Sequence, residues 1–313
     1  MRAFALDEFG KPGSIHEMPV PDPEQGQVRV ALRAAALNPF DNVVLTGVLK
    51  DRMPHQFPLI PGGDLAGTVD VVGPGVNQWK AGDEVFGAVG KPALGRGSLA
   101  EFVTASAGTI ARRPASVDPE FGATLGLAAV SALMCVEPMS LTREDVVVIV
   151  GAAGGIGGFA VQMARHAGAR VIAVTRGVNA EYVRGLGADE VVDYTAQDVV
   201  ESVRNASPDG IAGIVHTAGT AETLAGLAAQ VRRGGHLSSM IGGAKVDELA
   251  SHGVTGINVV TGVTTARLDK LAAMTDSGTL KRVQIKTFKL DEASAAFAAI
   301  GAGHLRGKLV IVP

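Results

Sequence analysis

The chain has 313 residues, which is more than one ordinary domain needs, so we expect two domains. Its net charge is −3 and no block of like charges occurs, which argues against a nucleic acid or an anionic membrane surface as a partner. The single cysteine, Cys135, excludes an intrachain disulfide and any zinc site built from several cysteines. A small molecule is therefore the expected ligand.

The beginning of the chain and its apolar runs bear on location. No uninterrupted apolar run reaches the ~18 residues of a membrane span. Asp7 and Glu8 fall where a signal peptide would need an apolar stretch. We therefore expect no membrane partner and a cytoplasmic location.

The texture of the sequence changes near residue 120. Up to Glu120, short β-branched segments alternate with glycine and proline, which predicts a β-rich module. From Phe121, alanine-rich helical runs alternate with apolar strands, which predicts a doubly wound parallel sheet. The last stretch adds one helix and one strand that can return to the first module. We predict a β-rich domain formed by 1–120 and 279–313, and a nucleotide-binding domain formed by 121–278.

A glycine-rich turn within Val146–Gly158 follows an apolar strand and precedes a helical pattern. Such a turn brings the backbone close to a diphosphate, whose charge is stabilised by free N–H groups and the helix dipole. In the spacing of the dinucleotide motif the triplet is Ala152, Gly154 and Gly157, so alanine replaces the first glycine. The predicted cofactor-binding residues in this turn are Ala152, Ala153, Gly154, Gly155, Ile156 and Gly157; a tight turn without a ligand is the alternative.

The end of the next predicted strand bears on the choice of cofactor. Dinucleotide folds that prefer NAD place an acidic residue there, against the adenosine ribose. This chain has Arg176, flanked by Thr175 and Asn179, which can form charge-assisted and neutral hydrogen bonds with a 2′-phosphate. We predict NADPH as the cofactor; a solvated surface arginine is the alternative.

Several segments together resemble the medium-chain dehydrogenase/reductase superfamily, in its zinc-independent quinone oxidoreductase (zeta-crystallin-like) branch. They are Asn38–Asp41, Pro58–Gly87, GLAAVSAL from Gly126, GAAGGIGG, LGADEVVDY from Leu186 and the terminal RGKLVIVP. The resemblance covers the whole chain. It implies an α/β architecture with a GroES-like β-rich domain and a Rossmann domain, and it implies a homodimer, for which GINVVTGVT offers a sheet edge.

The resemblance also bears on zinc. Zinc alcohol dehydrogenases of the superfamily have a cysteine at the position of Asn38 and a His-Glu pair at Gly63-Asp64. Zinc needs three protein ligands around an open position, so no metal is expected here. The resemblance places Asn38 and Asp41 near the nicotinamide and the substrate, and Gly63 leaves room for a flat acceptor. Turn capping by Asn38 and Asp41, and a plain turn at Gly63, are the alternatives.

Four further residues are candidates on weaker grounds. Tyr194 resembles a tyrosine near the adenosine phosphate in NADPH-using relatives, or it is a half-buried residue at a strand end. Arg306 and Lys308 could bind the cofactor's phosphates, or form a solvated pair before the last strand. His216, at a strand end where relatives often have aspartate, could line the cofactor cleft, but we favour its interpretation as a core histidine.

These features predict an NADPH-dependent, zinc-independent oxidoreductase that transfers hydride to a quinone or another conjugated carbonyl. Such acceptors spread the incoming charge by conjugation and need no Lewis acid. An enoyl-thioester or 2-alkenal reductase is one alternative. A non-catalytic NADPH-binding sensor or structural protein is another, because no proton-transfer residue is evident.

Overall fold

The computed structural model describes residues 1–90 and 93–313, which divide into two compact units. Unit 1 consists of Met1–Ala128, Val263–Ser277 and Gln284–Pro313. Unit 2 consists of Ala129–Gly262 and Gly278–Val283.

Strands and helices occur in both units. The described strands are β1 (Arg2–Ala5), β2 (Ser14–Glu17), β3 (Gln27–Leu37), β4 (His55–Ile60), β5 (Asp64–Val72), β6 (Glu84–Ala88), β7 (Leu94–Arg96), β8 (Phe102–Ser106), β9 (Ile110–Arg112), β10 (Val146–Val150), β11 (Arg170–Thr175), β12 (Glu190–Asp193), β13 (Ile211–His216), β14 (Val231–Ser239), β15 (Thr255–Asn258), β16 (Ile285–Lys289) and β17 (Lys308–Val312). The described α-helices are α1 (Pro39–Thr46), α2 (Pro119–Thr124), α3 (Val130–Val136), α4 (Gly155–His166), α5 (Ala180–Leu186), α6 (Val199–Ala206), α7 (Ala221–Ala228), α8 (Val246–Ser251), α9 (Thr265–Asp276) and α10 (Ala293–Gly301).

Unit 2 is built on a six-stranded sheet in the order β12-β11-β10-β13-β14-β15, and all its neighbouring strands are parallel. Four of the five residues of β10 are buried, as expected for a strand covered on both faces. Strand order reverses between β10 and β13, which makes this pair the topological switch point where open α/β sheets bind ligands. The parallel sheet confirms the predicted Rossmann architecture.

Unit 1 contains a seven-stranded sheet in the order β16-β17-β3-β5-β6-β9, and β8 also pairs with β3. The long strand β3 alternates buried and partly exposed residues at its start and is buried throughout its last four residues. β17 pairs antiparallel with β3, so the last strand does return to the β-rich unit. The GroES-like domain expected from the resemblance is confirmed.

The observed division differs from the predicted ranges at three places. The first boundary follows Ala128 and falls within a helical stretch. Helix α9 belongs to unit 1, because Thr265 donates through its amide to the Gly108 carbonyl and through its hydroxyl to the Ile110 carbonyl, each at 2.9 Å. Gly278–Val283 belongs to unit 2, because the Lys281 amide donates to Gln162 Oε1 of α4 at 2.7 Å.

One helical stretch in the described part of the chain, Pro119–Met139, is long and apolar enough to cross a membrane. Of its most apolar window, 78% is buried inside the structure. Core helices of soluble proteins pass the same test, so this stretch is weak evidence for a membrane span.

Candidate functional site

The candidate site in unit 1 is a buried polar cluster formed by Asn38, Asp41, Asp64 and Lys308. The four residues are 9%, 3%, 0% and 4% exposed, in that order. Three elements supply them: Asn38 caps α1 and Asp41 lies in its first turn, Asp64 begins β5 and Lys308 begins β17. Each polar group must therefore find its partners within the protein.

The start of α1 explains how Asn38 is held. Pro39 occupies the first helical turn, where its missing N–H is not needed. Asp41 accepts a hydrogen bond from the Asn38 backbone amide at 2.7 Å, in a capping arrangement. This is the turn capping weighed for Asp41, and it orients the loop that carries Asn38.

The side-chain amide of Asn38 has only one possible orientation. Lys308 Nζ donates to Asn38 Oδ1 at 2.6 Å, and Asn38 Nδ2 donates to Asp64 Oδ2 at 2.8 Å. A lysine ammonium can only donate and a carboxylate can only accept, so the oxygen must face Lys308. The side chain of Asn38 also interacts with Asp41 and helps to oppose the rise in the pKa of that carboxyl.

Asp64 is the centre of the cluster. Its Oδ1 accepts the backbone N–H of Leu127 at 2.5 Å, and its Oδ2 lies 3.6 Å from Lys308 Nζ. Leu127 lies in a π-helical turn, Leu125–Ala129, between α2 and α3. Such turns interrupt the regular helical hydrogen bonding and often mark functional sites. Asp64 thus ties this turn to β5.

Burial dominates the electrostatics of the cluster. It raises the pKa of Asp41 to about 7, with the amide of Asn38 opposing the shift. It also raises the pKa of Asp64 and lowers that of Lys308, while the attraction between these two groups opposes both changes. The cluster is a closed network in which each ionisable group depends on the others.

The partners of Lys308 correct one prediction. Its ammonium donates to the Leu37 carbonyl at 2.8 Å and to Asn38, and it faces Asp64. Three partners account for three N–H groups, so Lys308 does not bind the cofactor's phosphates and is not half of a solvated pair. Arg306, two residues earlier, is half-buried.

The same geometry tests whether zinc fits. Both oxygens of Asp64 are engaged, and the Lys308 ammonium repels a second cation beside them. Asn38 and Gly63 stand at the other two positions where zinc-dependent relatives supply ligands. Among residues 1–90 and 93–313, no group of three or more His, Cys, Asp or Glu residues could hold a metal ion. The residues present do not fit catalytic zinc.

Gly63, just before Asp64, is partly exposed. A Cβ atom built there would lie 3.0 Å from Leu127 Cδ1, and no other described atom outside its chain neighbours lies within 4 Å. A side chain would therefore occupy mostly open space beside the cluster.

The candidate site in unit 2 is the turn between β10 and α4. Gly157 packs against the turn so closely that a Cβ atom there would lie 2.2 Å from the Gly151 carbonyl oxygen. Gly154 caps α4 without a side chain, and Gly155 and Ile156, in the first helical turn, are partly exposed. Their N–H groups and the helix dipole suit a diphosphate, so a dinucleotide fits this turn.

The turn also contains a residue that the sequence analysis missed. Gly151 has φ +83°, a left-handed conformation that favours glycine. It therefore supplies the tight turn that the motif spacing assigned to Ala152, which is fully buried. Its position directly after the last valine of β10 was the available signal.

Beyond β11 the predicted residues separate into two groups. Thr175 and Asn179 are buried, and Asn179 Nδ2 donates to Thr175 Oγ1 at 3.3 Å. Arg176 is partly exposed, and Tyr194 is 44% exposed.

Asp193, from the neighbouring strand, was also missed by the sequence analysis. Its pKa is lowered most by hydrogen bonds from Thr195, and the nearby charge of Arg176 contributes. An acid therefore lies near Arg176, although not at the end of β11.

Two family models match the chain. An alcohol dehydrogenase GroES-like domain matches residues 24–115, and a zinc-binding dehydrogenase domain matches residues 186–311. The second description names zinc, for which the part of the chain that the structure describes offers no ligand set.

Several known proteins are similar to this chain. A chloroplastic quinone oxidoreductase of Triphysaria versicolor is 30% identical over 100% of this chain and 98% of its own length. A human mitochondrial NAD(P)H oxidoreductase is 29% identical, covering 99% and 89%. A chloroplast envelope quinone oxidoreductase homologue of Arabidopsis thaliana is 37% identical over 62% of this chain, and the match spans only 61% of that relative. The structure of the quinone oxidoreductase from Coxiella burnetii matches with a TM-score of 0.86 and 26% identity, covering 100% of this chain and 99% of the other.

Proposed function

The chain belongs to the medium-chain dehydrogenase/reductase superfamily, among its quinone oxidoreductase-like members, and from that premise we propose that it is an NADPH-dependent reductase of quinones or other conjugated carbonyls that uses no metal. The observation that carries the proposal is the engagement of Asp64 by Lys308 and Asn38. Where zinc-dependent relatives have a metal ligand, Asp64 instead forms an internal ion pair with Lys308.

The absence of a ligand set restricts the substrates that suit the site. An isolated carbonyl or alcohol needs its oxygen polarised, which zinc does in dehydrogenases. A quinone or enone spreads the developing negative charge onto a distant oxygen by conjugation. One well-placed hydrogen-bond donor at that oxygen then contributes much of the required stabilisation.

Different residues of the chain bind the cofactor and the substrate. The N–H groups at the start of α4 bind the diphosphate, and Arg176 binds the 2′-phosphate. When bound, the dihydronicotinamide supplies a hydride. Asn38, held by Lys308 and Asp64 beside Asp41, is the hydrogen-bond donor that we assign to the substrate oxygen, and Gly63 leaves space for a flat ring. Because the Asn38 amide is fixed beforehand, no reorganisation of this donor is needed.

The activity is tested by oxidation of NADPH and NADH, side by side, against ortho- and para-quinones, 2-alkenals and enones, with and without a chelator. We expect turnover with NADPH that the chelator does not change. Loss of activity with chelator would contradict the metal-free mechanism. Turnover confined to alkenals would favour C=C reduction, and binding without turnover would favour a sensor or structural role.

The cofactor preference is tested at Arg176. We expect Arg176→Ala to weaken NADPH binding by about tenfold or more while changing NADH binding little, because one charge-assisted contact is lost. Arg184→Ala, at an exposed site on α5 of the same unit, is the matched control. Equal losses for the two cofactors would refute the role of Arg176.

A further inference from the structure

A buried histidine at the switch point of the unit 2 sheet is not used by the proposed mechanism. His216 is the last residue of β13 and is 3% exposed. It stands level with Val150, the last residue of β10, and with Ser239, the last residue of β14. His216 therefore lies at the carboxyl edge of the sheet, where a ligand of this fold binds.

The hydrogen bonds of Ser239 determine which ring nitrogen of His216 carries the proton. Ser239 Oγ accepts the backbone N–H groups of Gly243 at 2.9 Å and Ile241 at 3.3 Å. A hydroxyl has two lone pairs and one hydrogen, so its hydrogen must point to its third neighbour, His216 Nδ1, at 3.0 Å. Nδ1 is then an acceptor and Nε2 carries the hydrogen of a neutral ring.

Burial favours the same state. It lowers the pKa of His216, and a backbone interaction with Ala218 opposes this only in part. The neutral form with hydrogen on Nε2 is therefore the form that the surroundings select.

Nε2 itself is buried and has no hydrogen-bond partner among the described residues. Gly219 and Val150 lie on the side of Nε2 that faces the sheet edge. A Cβ atom built on Gly219 would lie 4.0 Å from Nε2 and 3.5 Å from Val150 Cγ1. A buried donor without a partner is unfavourable, and a ligand oxygen would satisfy it.

The order of the strands indicates which part of a ligand reaches this donor. The diphosphate site lies beyond β10, and Arg176 directly follows β11 on one side of it. β13 lies on the other side of β10. The half of a dinucleotide that does not reach Arg176 therefore extends towards His216.

We propose that His216 binds the cofactor, with its Nε2–H donating a hydrogen bond to an oxygen in the nicotinamide half of the dinucleotide. This inference rests on the dinucleotide site of the proposed function, but it does not depend on the acceptor or on turnover. It assigns a specific ligand contact to a residue for which the sequence favoured a place in the core.

The first test compares two probes by calorimetry. NADP⁺ contains both halves of the cofactor, whereas 2′,5′-ADP contains only the adenosine half. We expect His216→Phe to raise the Kd of NADP⁺ about tenfold, the value of one hydrogen bond, and to leave the Kd of 2′,5′-ADP unchanged. His252→Phe, at an exposed histidine of the same unit, should change neither. An unchanged Kd for NADP⁺, or equal losses for both probes, would overturn the proposal.

The second test needs no variant that must bind ligand. Nitrogen-15 NMR of the imidazoles should show His216 with hydrogen on Nε2, and added NADP⁺ should shift this resonance. The signal is assigned by its loss in His216→Phe or His216→Asn. Hydrogen on Nδ1, or no shift at saturating NADP⁺, would contradict the inference even where a variant fails to fold.

The two proposals can fail separately. A selective loss of NADP⁺ affinity without turnover of any acceptor would support the role of His216 and contradict the proposed reductase. Turnover of quinones together with unchanged NADP⁺ affinity in His216→Phe would do the reverse. No binding of NADP⁺ by the unaltered protein would contradict both.

Discussion

At the residue scale, the buried ammonium of Lys308 is surrounded by protein groups that replace its hydration. It is 4% exposed and contacts a carbonyl, an amide oxygen and a carboxylate. A buried charge is tolerated only when such partners replace its hydration. Removing the lysine would leave Asp64 buried without its cation and Asn38 Oδ1 without its donor.

We therefore expect Lys308→Met to lower the free energy of unfolding by about 3–5 kcal/mol. Urea denaturation at neutral pH measures the change. Lys11→Met, which removes an exposed lysine of the same unit, should change the free energy by no more than about 0.5 kcal/mol. Equal losses in the two variants would show that Lys308 does not neutralise the cluster.

Asp41 should make stability depend on pH. Its pKa is about 7 in the folded protein, against 3.8 for an ordinary aspartate, so the folded state keeps its proton to higher pH. Folded protein then binds more protons than unfolded protein between these values, and the free energy of unfolding falls as pH rises from about 4 to about 7. Above that range the contribution of Asp41 is constant.

Asp41→Asn removes this titration and keeps an oxygen that can accept the Asn38 amide hydrogen. We expect the variant to gain stability relative to the unaltered protein as pH rises from about 4 to about 7, with no further gain at pH ~8. Urea unfolding across this range measures the difference, and Asp51→Asn, at an exposed carboxyl, is the control. A difference that does not vary with pH would contradict the assignment.

The residues of this cluster show which parts of a site can be predicted from the sequence and which cannot. Asn38 and Asp41 were predicted because their loop carries a recognisable local pattern. Their partner Lys308 was assigned elsewhere, because it lies 270 residues from Asn38 along the chain and no local pattern reports that contact. Asp64 was considered only because Gly63-Asp64 stands where zinc alcohol dehydrogenases have their His-Glu pair.

At the scale of elements, the strand-turn-helix segment formed by β10, its turn and α4 was predicted almost completely. An apolar strand, clustered glycines and a helical period are all local properties of the sequence. The motif spacing placed Ala152 at the first glycine position, whereas the left-handed residue of the turn is Gly151, directly before it. Which glycine bends and which one packs is decided by the approach of α4 to the turn.

Gly157→Ala tests this packing. A Cβ atom 2.2 Å from the Gly151 carbonyl forces the start of α4 away from the turn. We expect a loss of about 1–3 kcal/mol in stability and the loss of most NADPH affinity, measured by thermal unfolding and by titration. Gly185→Ala on α5, where no described atom lies within 4 Å of the new Cβ, should stabilise by about 0.5–1 kcal/mol. NADPH binding unchanged in Gly157→Ala would place the cofactor elsewhere.

At the scale of the whole molecule, the sheet of unit 2 ends in β15, which pairs with β14 on one side and with no described strand on the other. β15 is an edge strand within the described part of the chain, and Val260, just beyond it, is 85% exposed. Such an edge is either protected or paired with another chain. The homodimer expected from the resemblance would cover it.

If two copies associate through this edge, Val260→Asp should convert a dimer into a monomer, because each copy would place a charge in the interface. Light scattering over a range of protein concentrations measures the mass. Val48→Asp, at a 66% exposed valine of unit 1, should leave the mass unchanged. A concentration-independent monomer in the unaltered protein would refute the dimer.

The placement of β17 has a consequence for the order in which the protein forms. Asn38 and Asp64 leave the ribosome early, but their buried cation begins the strand that pairs with β3 much later in synthesis. Every segment of unit 2 has been made by then, since its last residue is Val283. All of unit 2 is therefore synthesised before Asp64 of unit 1 can receive its charge partner at residue 308.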